Sequence, residues 1–275
     1  MHAAFDAGLN LIDTAPAYGE SEAVLGRALR QAQRREHVIL ATKVGLQGLR
    51  GEALRRQMLT SLETSLQTLQ TDYLDIWQIH NLDAPLLEQL ETIAGVFAEA
   101  RGRGLVRWVG ASTYGVEMPL AALETGLFDT LQVTYSVLDQ RLADRVFPLA
   151  AERNVGLIVR SVLLQGALTG RGDYLPDHLE PLRARSRRFR QVVVRLRLTK
   201  SGLGLSPAQV ALAFGLAHPH PGAVLVGVRT GQELSEDLQA LSVTLPADLL
   251  AELYALRLDD DDLLNPGAWH GLRTP

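Results

Sequence analysis

Short apolar runs recur along the chain at intervals of about 30 residues, the usual length of a strand–helix unit. Each run is long enough for a strand that is buried on both faces and too short for a helix. The sequence therefore predicts seven strands: Leu9–Asp13, Val38–Thr42, Leu74–His80, Leu105–Ala111, Thr130–Val133, Val155–Arg160 and Ala223–Gly227.

Helix-like segments separate these runs. After Gly51, apolar residues recur at the i, i+4 and i+8 steps of one helical face, and a second segment after Pro85 repeats the pattern. The two faces consist of Leu54, Met58, Leu62, Leu66 and Leu69, and of Leu86, Leu90, Ile93 and Phe97. This alternation of strand and helix predicts parallel strands joined by right-handed crossovers.

Two architectures fit the alternation, a (β/α)8 TIM barrel and an open doubly wound sheet. No GxGxxG motif follows the first strand, which disfavours the dinucleotide-binding open sheet. Polar residues at the ends of different strands favour the barrel, because a barrel directs all the carboxyl ends of its strands to one mouth. These residues are Asp13, Lys43, His80, Ser112 and Arg160.

The length of 275 residues suits a single α/β domain, and no Ser/Gly-rich or Pro-rich linker divides the chain. We predict one barrel domain over residues 1–258 and a tail over residues 259–275. An arginine-rich insertion at about residues 170–205 interrupts the repeat. Its apolar residues share one helical face, which predicts an amphipathic helix with a solvated basic face; a nucleic-acid or phosphate site is the alternative.

The beginning of the chain, Met1–Gly8, has the pattern of the end of a helix, with Gly8 suited to a left-handed cap. The sequence therefore predicts a barrel that lacks its first strand, which leaves strand edges unpaired and the core open. We expect such a chain to be weakly stable, aggregation-prone or poorly active, unless another strand or a partner subunit fills the gap.

Composition narrows the range of partners. A net charge of −4 provides no broad basic field, which disfavours nucleic acid and anionic membranes. The absence of cysteine excludes disulfides and thiolate zinc sites. No leader-like segment and no run of about 18 apolar residues occurs, so we expect a cytoplasmic protein. Its expected partner is a small molecule, and the sequence does not determine its oligomeric state.

His218 and His220 alternate with prolines, which indicates a loop rather than a metal site.

Four residues near successive strand ends form a coherent chemical set: Asp13, Tyr18, Lys43 and His80. A lysine ammonium beside a phenol favours the phenolate and lowers the pKa of the phenol from its ordinary value of about 10. An aspartate holds the lysine, and a histidine can orient a carbonyl oxygen or pass a proton. Singly, such residues also suit structural hydrogen bonds or a salt bridge. Together they suit protonation of an oxygen while a hydride reaches the carbon.

The motifs DTAPAYG, ATKVG, DYLDIWQIHN and VRWVGAST occur in the order found in aldo-keto reductases, and the chain resembles that family from residue 2 to about residue 255. The resemblance implies a (β/α)8 barrel that binds NADP(H) and interconverts carbonyls, or sugars, with alcohols. It also implies Tyr18 as general acid, Lys43 and Asp13 as the pair that tunes it, and His80 as the residue that orients the substrate carbonyl.

The resemblance implies a cofactor site as well, with NADP(H) as the cofactor and NAD(H) as the open alternative. Thr113 stands where the family has Asn, Glu233 where it commonly has Arg or Gln, and Asp237 where it has Asn. Arg160, in VRSVLLQG, occupies the position where the family often has an aromatic residue stacked on the nicotinamide, and a planar guanidinium can stack likewise. The implied cofactor residues are Ser112, Thr113, Gln132, Arg160, Ser161, Leu163, Gly227, Arg229, Glu233 and Asp237.

A function of another class stays open on the sequence alone. A barrel that binds the nicotinamide cofactor without catalysis, as a sensor or scaffold, would also retain these motifs, because a fold does not settle a function. The complete set of Asp13, Tyr18, Lys43 and His80 favours the enzyme, whereas the altered Thr113, Glu233 and Asp237 favour the non-catalytic protein.

Overall fold

The computed structural model describes residues 1–199, 204–265 and 269. Contacts divide the chain into two compact units. The first unit is Met1–Gln132 with Leu149–Gly156, and the second is Val133–Pro148 with Leu157–Pro275. Residues 200–203 of the predicted insertion, and 266–268 and 270–275 of the predicted tail, lie outside the described residues. The single domain predicted over residues 1–258 stays a prediction.

Parallel strands form the centre of the first unit, and they pair in the order of the chain. The register sets Asp13 opposite Ala41 and Lys43 opposite Gln78. The strands are β1 (Leu11–Asp13), β2 (Ile39–Gly45), β3 (Leu74–His80), β4 (Val106–Ser112) and β5 (Thr130–Thr134), the last of which runs on into the second unit. All five were predicted to within two or three residues, and the parallel arrangement is confirmed.

The helices of the first unit are α1 (His2–Asp6), α2 (Ser21–Ala32), α3 (Gly51–Leu69), α4 (Ala84–Leu87), α5 (Leu90–Gly102), α6 (Glu117–Glu124) and the end of α7 (Leu142–Glu152). Gly8 follows α1 with a φ of +81°, as predicted for a left-handed residue. The predicted face of α3 is buried except for Leu66, which is half-buried.

One helix prediction is wrong, because the segment after Pro85 forms two helices. Asp83 caps the short α4 by accepting the Leu86 amide at 3.0 Å. Gln89 then leaves helical geometry, and its side-chain oxygen accepts the Gly51 amide of α3 at 2.9 Å. The break therefore comes from a contact distant in sequence, which a periodicity pattern does not register.

The second unit contains β6 (Gly156–Arg160), whose first residue belongs to the first unit, and β7 (Ala223–Val224), which pair in parallel. Its helices, besides the beginning of α7, are α8 (Glu180–Thr199), α9 (Pro207–Ala217), α10 (Gly231–Leu238), α11 (Ala247–Tyr254) and α12 (Asp261–Leu264). The prediction of a strand as far as Gly227 is wrong, because the backbone leaves the strand after Leu225 donates to the Val159 carbonyl at 2.7 Å.

Helix α8 confirms the amphipathic helix predicted in the insertion. Its apolar face is buried at Leu182, Phe189 and Val193. On the other side, Arg183 and Arg187 both pair with Glu180. Two of the charges on which the alternative, a nucleic-acid or phosphate site, depends are therefore neutralised within the helix.

The end of α9 contributes to an aromatic cluster. The Tyr135 ring is stacked on the Phe214 ring with centroids 5.5 Å apart, and the His218 ring meets that of Phe147 at 4.8 Å. Burial, followed by the neighbouring His220, lowers the pKa of His218. Among the described residues, no group of three or more metal-ligating side chains is arranged to hold a metal ion.

None of the helices within the described ranges combines the length and apolar character that a membrane span requires.

A glycine in α2 permits close packing of this helix against α3, and it supports a stability prediction. A Cβ at Gly26 would lie 2.7 Å from the backbone of Thr68 and Leu69. We therefore expect Gly26→Ala to lower the free energy of unfolding by about 1–3 kcal/mol. Gly95, in the middle of α5, has open space around its Cα, so Gly95→Ala should raise that free energy by about 0.5–1 kcal/mol. Urea unfolding of both variants measures the difference; equal effects would contradict the close packing.

Candidate active site

The ends of the parallel strands place the predicted catalytic residues in the first unit. Asp13 ends β1, Lys43 lies near the end of β2 and His80 ends β3. Tyr18 follows β1 in a short 3-10 turn, Pro16–Tyr18, which Gly19 closes with a φ of +62°. Because parallel strands direct their carboxyl ends to the same edge, these side chains converge.

The centre of the site is a buried ion pair between Lys43 and Asp13. The Lys43 side chain is 0% exposed, and its Nζ lies 2.5 Å from the Asp13 Oδ2. It also donates to the Thr14 carbonyl at 2.9 Å. The second carboxylate oxygen of Asp13 accepts from the Gln132 Nε2 at 2.8 Å. Several partners therefore fix the position of the ammonium, as a buried charge requires.

Tyr18 and His80 lie beside this pair. The Lys43 Nζ is 5.1 Å from the centroid of the Tyr18 ring, close enough for the ammonium to act on the phenol electrostatically. The His80 ring meets the Tyr18 ring edge-on, with centroids 5.8 Å apart. Tyr18 is 47% exposed, so a solvent-borne molecule can reach it. The structure thus brings all four predicted residues together.

A second buried carboxylate, that of Glu22, forms a hydrogen bond to strand β2. Glu22, in the first turn of α2, accepts from the Thr42 Oγ1 at 2.7 Å and is almost fully buried. This residue was not predicted from the sequence. The sequence feature that could have identified Glu22 is its position on the same helical face as Leu25 and Leu29. A carboxylate on a buried face is expected only where it has a hydrogen-bond or ion-pair partner.

The turn after β3 holds His80 and the end of β4 together. Asn81 has a φ of +57°, and its amide donates to the Ser112 Oγ at 2.8 Å. Gln47 donates from its side chain to the carbonyls of His80 and Asn81. The hydroxyl of Ser112 therefore has a structural partner here, while its predicted contact with the cofactor stays a prediction.

The Thr113 amide donates to the Gln132 carbonyl at 3.0 Å, which links the first residue after β4 to β5. Together with the bond from Gln132 to Asp13, this places the predicted Ser112, Thr113 and Gln132 in the same unit as the four predicted catalytic residues.

The second unit contains a cavity of about 540 Å³. Six of the seven cofactor residues predicted in this unit line it: Ser161, Leu163, Gly227, Arg229, Glu233 and Asp237. Arg160 is not among the described residues that line the cavity, and its Nη1 lies 3.5 Å from the Ser161 Oγ. The clustering of six residues from separate segments makes this cavity the candidate cofactor site.

The wall after β6 has an unusual backbone. Ser161, Leu164 and Gln165 have φ values of +62°, +45° and +49°, in the left-handed region that favours glycine. Such conformations cost about 1–3 kcal/mol each and concentrate at ligand-binding sites. The strained turn therefore agrees with a binding role for this wall.

The beginning of α10 also lines the cavity, and there the side chain of Glu233 already accepts a hydrogen bond from a backbone amide. Its Oε2 accepts from the Arg229 amide at 2.7 Å, while its own amide donates to the Thr230 Oγ1 at 3.1 Å. Burial, and then the charges of Glu233 and Glu236, raise the pKa of Asp237. Three carboxylates, of Glu233, Glu236 and Asp237, therefore share this part of the lining with Arg229.

Thr169 and Arg171 are among the lining residues that were not predicted from the sequence as site residues. Both lie at the beginning of the arginine-rich insertion, which the sequence assigned to a solvated helix or, alternatively, to a nucleic-acid or phosphate site. Since α8 begins only at Glu180, the residues that reach the cavity precede the helix.

Comparison with known proteins identifies the family. The model of the aldo/keto reductase family matches residues 1–257. The chain is similar to "Aldo-keto reductase YhdN" of Bacillus subtilis, with 32% identity over 85% of this chain and 75% of the relative. It is also similar to the "NADH-specific methylglyoxal reductase" of Escherichia coli, with 30% identity over 86% of this chain and 80% of the relative.

Among solved structures, the holo form of aldo-keto reductase AKR11C1 from Bacillus halodurans matches 93% of this chain and 85% of its own, with 26% identity and a TM-score of 0.75. This likeness confirms the predicted (β/α)8 fold class, of which the described residues contain seven strands. The chain therefore belongs to the aldo/keto reductase family of oxidoreductases.

Proposed function

We propose that the protein reduces aldehydes or ketones to alcohols, with NADP(H) as cofactor, and catalyses the reverse oxidation. The observation that carries this proposal is the arrangement of Tyr18, His80 and the buried Lys43–Asp13 pair at one edge of the first unit. Sugars, whose open-chain forms carry a carbonyl, belong to the same substrate class. The cytoplasm is the proposed location.

The bound dihydronicotinamide would supply a hydride to the carbonyl carbon. Tyr18 would donate its phenolic proton to the carbonyl oxygen, so that the C=O bond becomes a CH–OH group. The phenolate left behind is stabilised by the Lys43 ammonium and regains a proton from solvent, to which Tyr18 is exposed. Asp13 holds the ammonium, and His80 orients the carbonyl oxygen.

Six of the proposed cofactor residues share the cavity of the second unit, whose two arginines, Arg171 and Arg229, and strained turn suit an anionic dinucleotide. We assign the phosphates to Gly227, Arg229 and the turn of Ser161 and Leu163, and the adenosine end to Glu233 and Asp237. The carboxamide of the nicotinamide is assigned to Ser112, Thr113 and Gln132, with Arg160 stacked on its ring.

One assay tests the reaction. Purified protein is mixed with NADPH and a panel of aldehydes, ketones and sugars, and the absorbance of the reduced nicotinamide is followed. The panel includes methylglyoxal, because a relative has that name. Turnover on at least one carbonyl, well above that of Tyr18→Phe, is expected. Absence of turnover on every substrate would refute the proposal.

The alternative is a protein that binds the cofactor without catalysis. The observation that motivates it is the departure from the family's cofactor residues at Thr113, Glu233 and Asp237; Glu233, for example, accepts a hydrogen bond from the Arg229 amide. Titration of NADPH fluorescence with protein, run beside the activity assay, separates the two functions. Tight binding without turnover would establish the alternative.

The charge of Glu233 makes a prediction about cofactor choice. A carboxylate near the 2′-phosphate of NADPH repels it, whereas NADH has no phosphate there. We expect Glu233→Gln, which keeps the hydrogen bond to Arg229 but removes the charge, to raise the NADPH to NADH ratio of kcat/KM about fivefold, or about 1 kcal/mol. Glu233→Arg should raise it further.

The control is Glu91→Gln, which makes the same change of charge at an exposed position of α5. Its ratio should equal that of the wild type. If Glu233→Gln and Glu91→Gln have the same ratio, Glu233 does not face the 2′-phosphate.

A further inference from the structure

The turn that carries Tyr18 lies at the surface of the first unit. Residues 16–20 are all exposed, whereas Thr14 and Ala15 before them and Glu22 after them are buried. An exposed turn buries little area that could fix it in place. The position of the Tyr18 phenol therefore depends on the segments at the two ends of the turn.

A hydrogen bond joins these two ends. The Thr14 Oγ1 donates to the Ser21 Oγ at 2.8 Å, across the residues that include Tyr18. Thr14 is fully buried, and its amide donates to the Ala41 carbonyl of β2 at 2.9 Å. Its carbonyl accepts from the Lys43 Nζ at 2.9 Å. Thr14 therefore connects the first residue of α2 to the buried ammonium.

The second residue of α2 binds β2 directly. Glu22 is 4% exposed, and its Oε1 accepts from the Oγ1 of the fully buried Thr42 at 2.7 Å. Since neighbouring residues of a strand face opposite sides of the sheet, Thr42 faces α2 while Lys43 faces the other side. Among the residues that the structure describes, the Glu22 side chain has no other hydrogen-bond or ion-pair partner. Because burial of a carboxylate is costly without a partner, this bond fixes where the first turn of α2 meets β2.

The Thr14–Ser21 and Thr42–Glu22 bonds, which we call the clamp, thus attach the beginning of α2 to both segments that surround Lys43. Only Gly19 and Glu20 separate Tyr18 from α2, so a shift of the first turn of this helix would be transmitted to the phenol. The Tyr18 ring lies 5.1 Å from the Lys43 Nζ. A misplacement of about 1 Å at a reacting group can cost about 10²-fold in rate.

We propose that Ser21 and Glu22 are positioning residues, which hold the Tyr18 turn at the distance from Lys43 that proton donation requires. The effect on catalysis rests on the proposed function, whereas the clamp itself does not. Both residues act through Tyr18, and neither is among the proposed contacts of the substrate or the cofactor. Their removal should therefore lower kcat and leave the binding of NADPH unchanged.

Kinetics on a carbonyl that the wild type reduces, with a fluorescence titration of NADPH, measure this effect. We expect Glu22→Ala to lower kcat about tenfold at an unchanged dissociation constant for NADPH. Glu22→Gln should recover most of the loss, because an amide oxygen can also accept from Thr42. Thr42→Val, which keeps the shape of the side chain and removes the donor, should lower kcat to a similar extent as Glu22→Ala. The double variant should be no slower, since both substitutions break one bond.

Glu52→Ala is the matched control. Glu52 is also the second residue of a helix, α3, but it is exposed, so its removal costs the same interaction with the helix dipole and no bond to a strand. Its kcat should equal that of the wild type. Equal kcat values in Glu52→Ala and in folded Glu22→Ala or Thr42→Val would overturn the positioning role. A Glu22→Gln protein as slow as Glu22→Ala would also overturn it, since the charge and not the bond would then be responsible.

Amide hydrogen exchange, followed by mass spectrometry in the absence of cofactor, tests the clamp separately. Peptides that cover residues 14–24 should exchange severalfold faster in Glu22→Ala, Thr42→Val and Ser21→Ala than in the wild type, while those of α5 should not. Wild-type exchange of residues 14–24 in Thr42→Val, or an equal acceleration in α5, would overturn the clamp. A wild-type protein without turnover on any carbonyl would refute the proposed function and the effect on kcat together, while the exchange rates would still decide the clamp.

Discussion

Tyr18→Phe is expected to lower kcat for carbonyl reduction by about 10²–10⁴-fold, the usual contribution of a positioned general acid. Phenylalanine keeps the ring that meets His80 edge-on at 5.8 Å and removes only the hydroxyl. The fold and the free energy of unfolding should therefore be preserved. The dissociation constant of NADPH should also be unchanged, since the substitution removes a proton donor and no proposed cofactor contact.

The measurement combines single-turnover kinetics with a fluorescence titration of NADPH. Tyr174→Phe is a matched control, because it makes the same chemical change at a side chain that is 86% exposed. It should have wild-type kinetics. A Tyr18→Phe protein that folds, binds NADPH and retains kcat within a few-fold would remove Tyr18 from the role of acid.

The positions of the strands and of the four candidate catalytic residues could be predicted because both depend on local patterns. A buried parallel strand is an apolar run, and a polar residue that ends the run marks its carboxyl end. Asp13, Lys43 and His80 are polar residues at the ends of such runs, and the structure brings them together. The helical face of α3 is likewise a property of consecutive residues.

The remaining features depend on contacts between distant residues. Nothing near Gln89 in the sequence indicates that its side chain binds the amide of Gly51 and divides a helix. Similarly, Arg190 resembles the other arginines of the insertion until its contacts with the Thr169 carbonyl and the Asp173 carboxylate are known. Periodicity describes which face of a helix is apolar, but it does not identify the backbone that lies against the polar face.

The environment of the proposed cofactor residues could be predicted only in part. The family resemblance implied seven of them in the second unit, and six line one cavity. It did not imply that Glu233 would bind the Arg229 amide, or that the pKa of Asp237 would be raised. The pKa of Asp237 is raised by burial and then by the charges of Glu233 and Glu236, and such an environment is not visible at a single position of the sequence.

Lys43→Met is expected to lower kcat/KM for reduction by at least about tenfold and to move its pH dependence. In the proposed mechanism, reduction requires the neutral phenol of Tyr18, so activity should fall as the pH rises through the pKa of that phenol. Because the Lys43 ammonium lies 5.1 Å from the ring and favours the phenolate, its removal should raise this pKa. The alkaline fall in activity should therefore shift to higher pH, and the alkaline rise of the reverse oxidation should shift with it.

Stability is the second expected effect of Lys43→Met. Removal of one partner from a buried ion pair costs about 3–5 kcal/mol when the remaining charge is left without a partner. Asp13 keeps its bond from Gln132 and is 13% exposed, so we expect a loss in the free energy of unfolding near or below the lower end of that range. Arg107→Met, which removes a partly exposed cation from the well-paired Asp75, is the control for deletion of a charge. It should leave the pH profile unchanged. A folded Lys43→Met protein whose profile coincides with that of Arg107→Met would show that Lys43 does not act on the phenol of Tyr18.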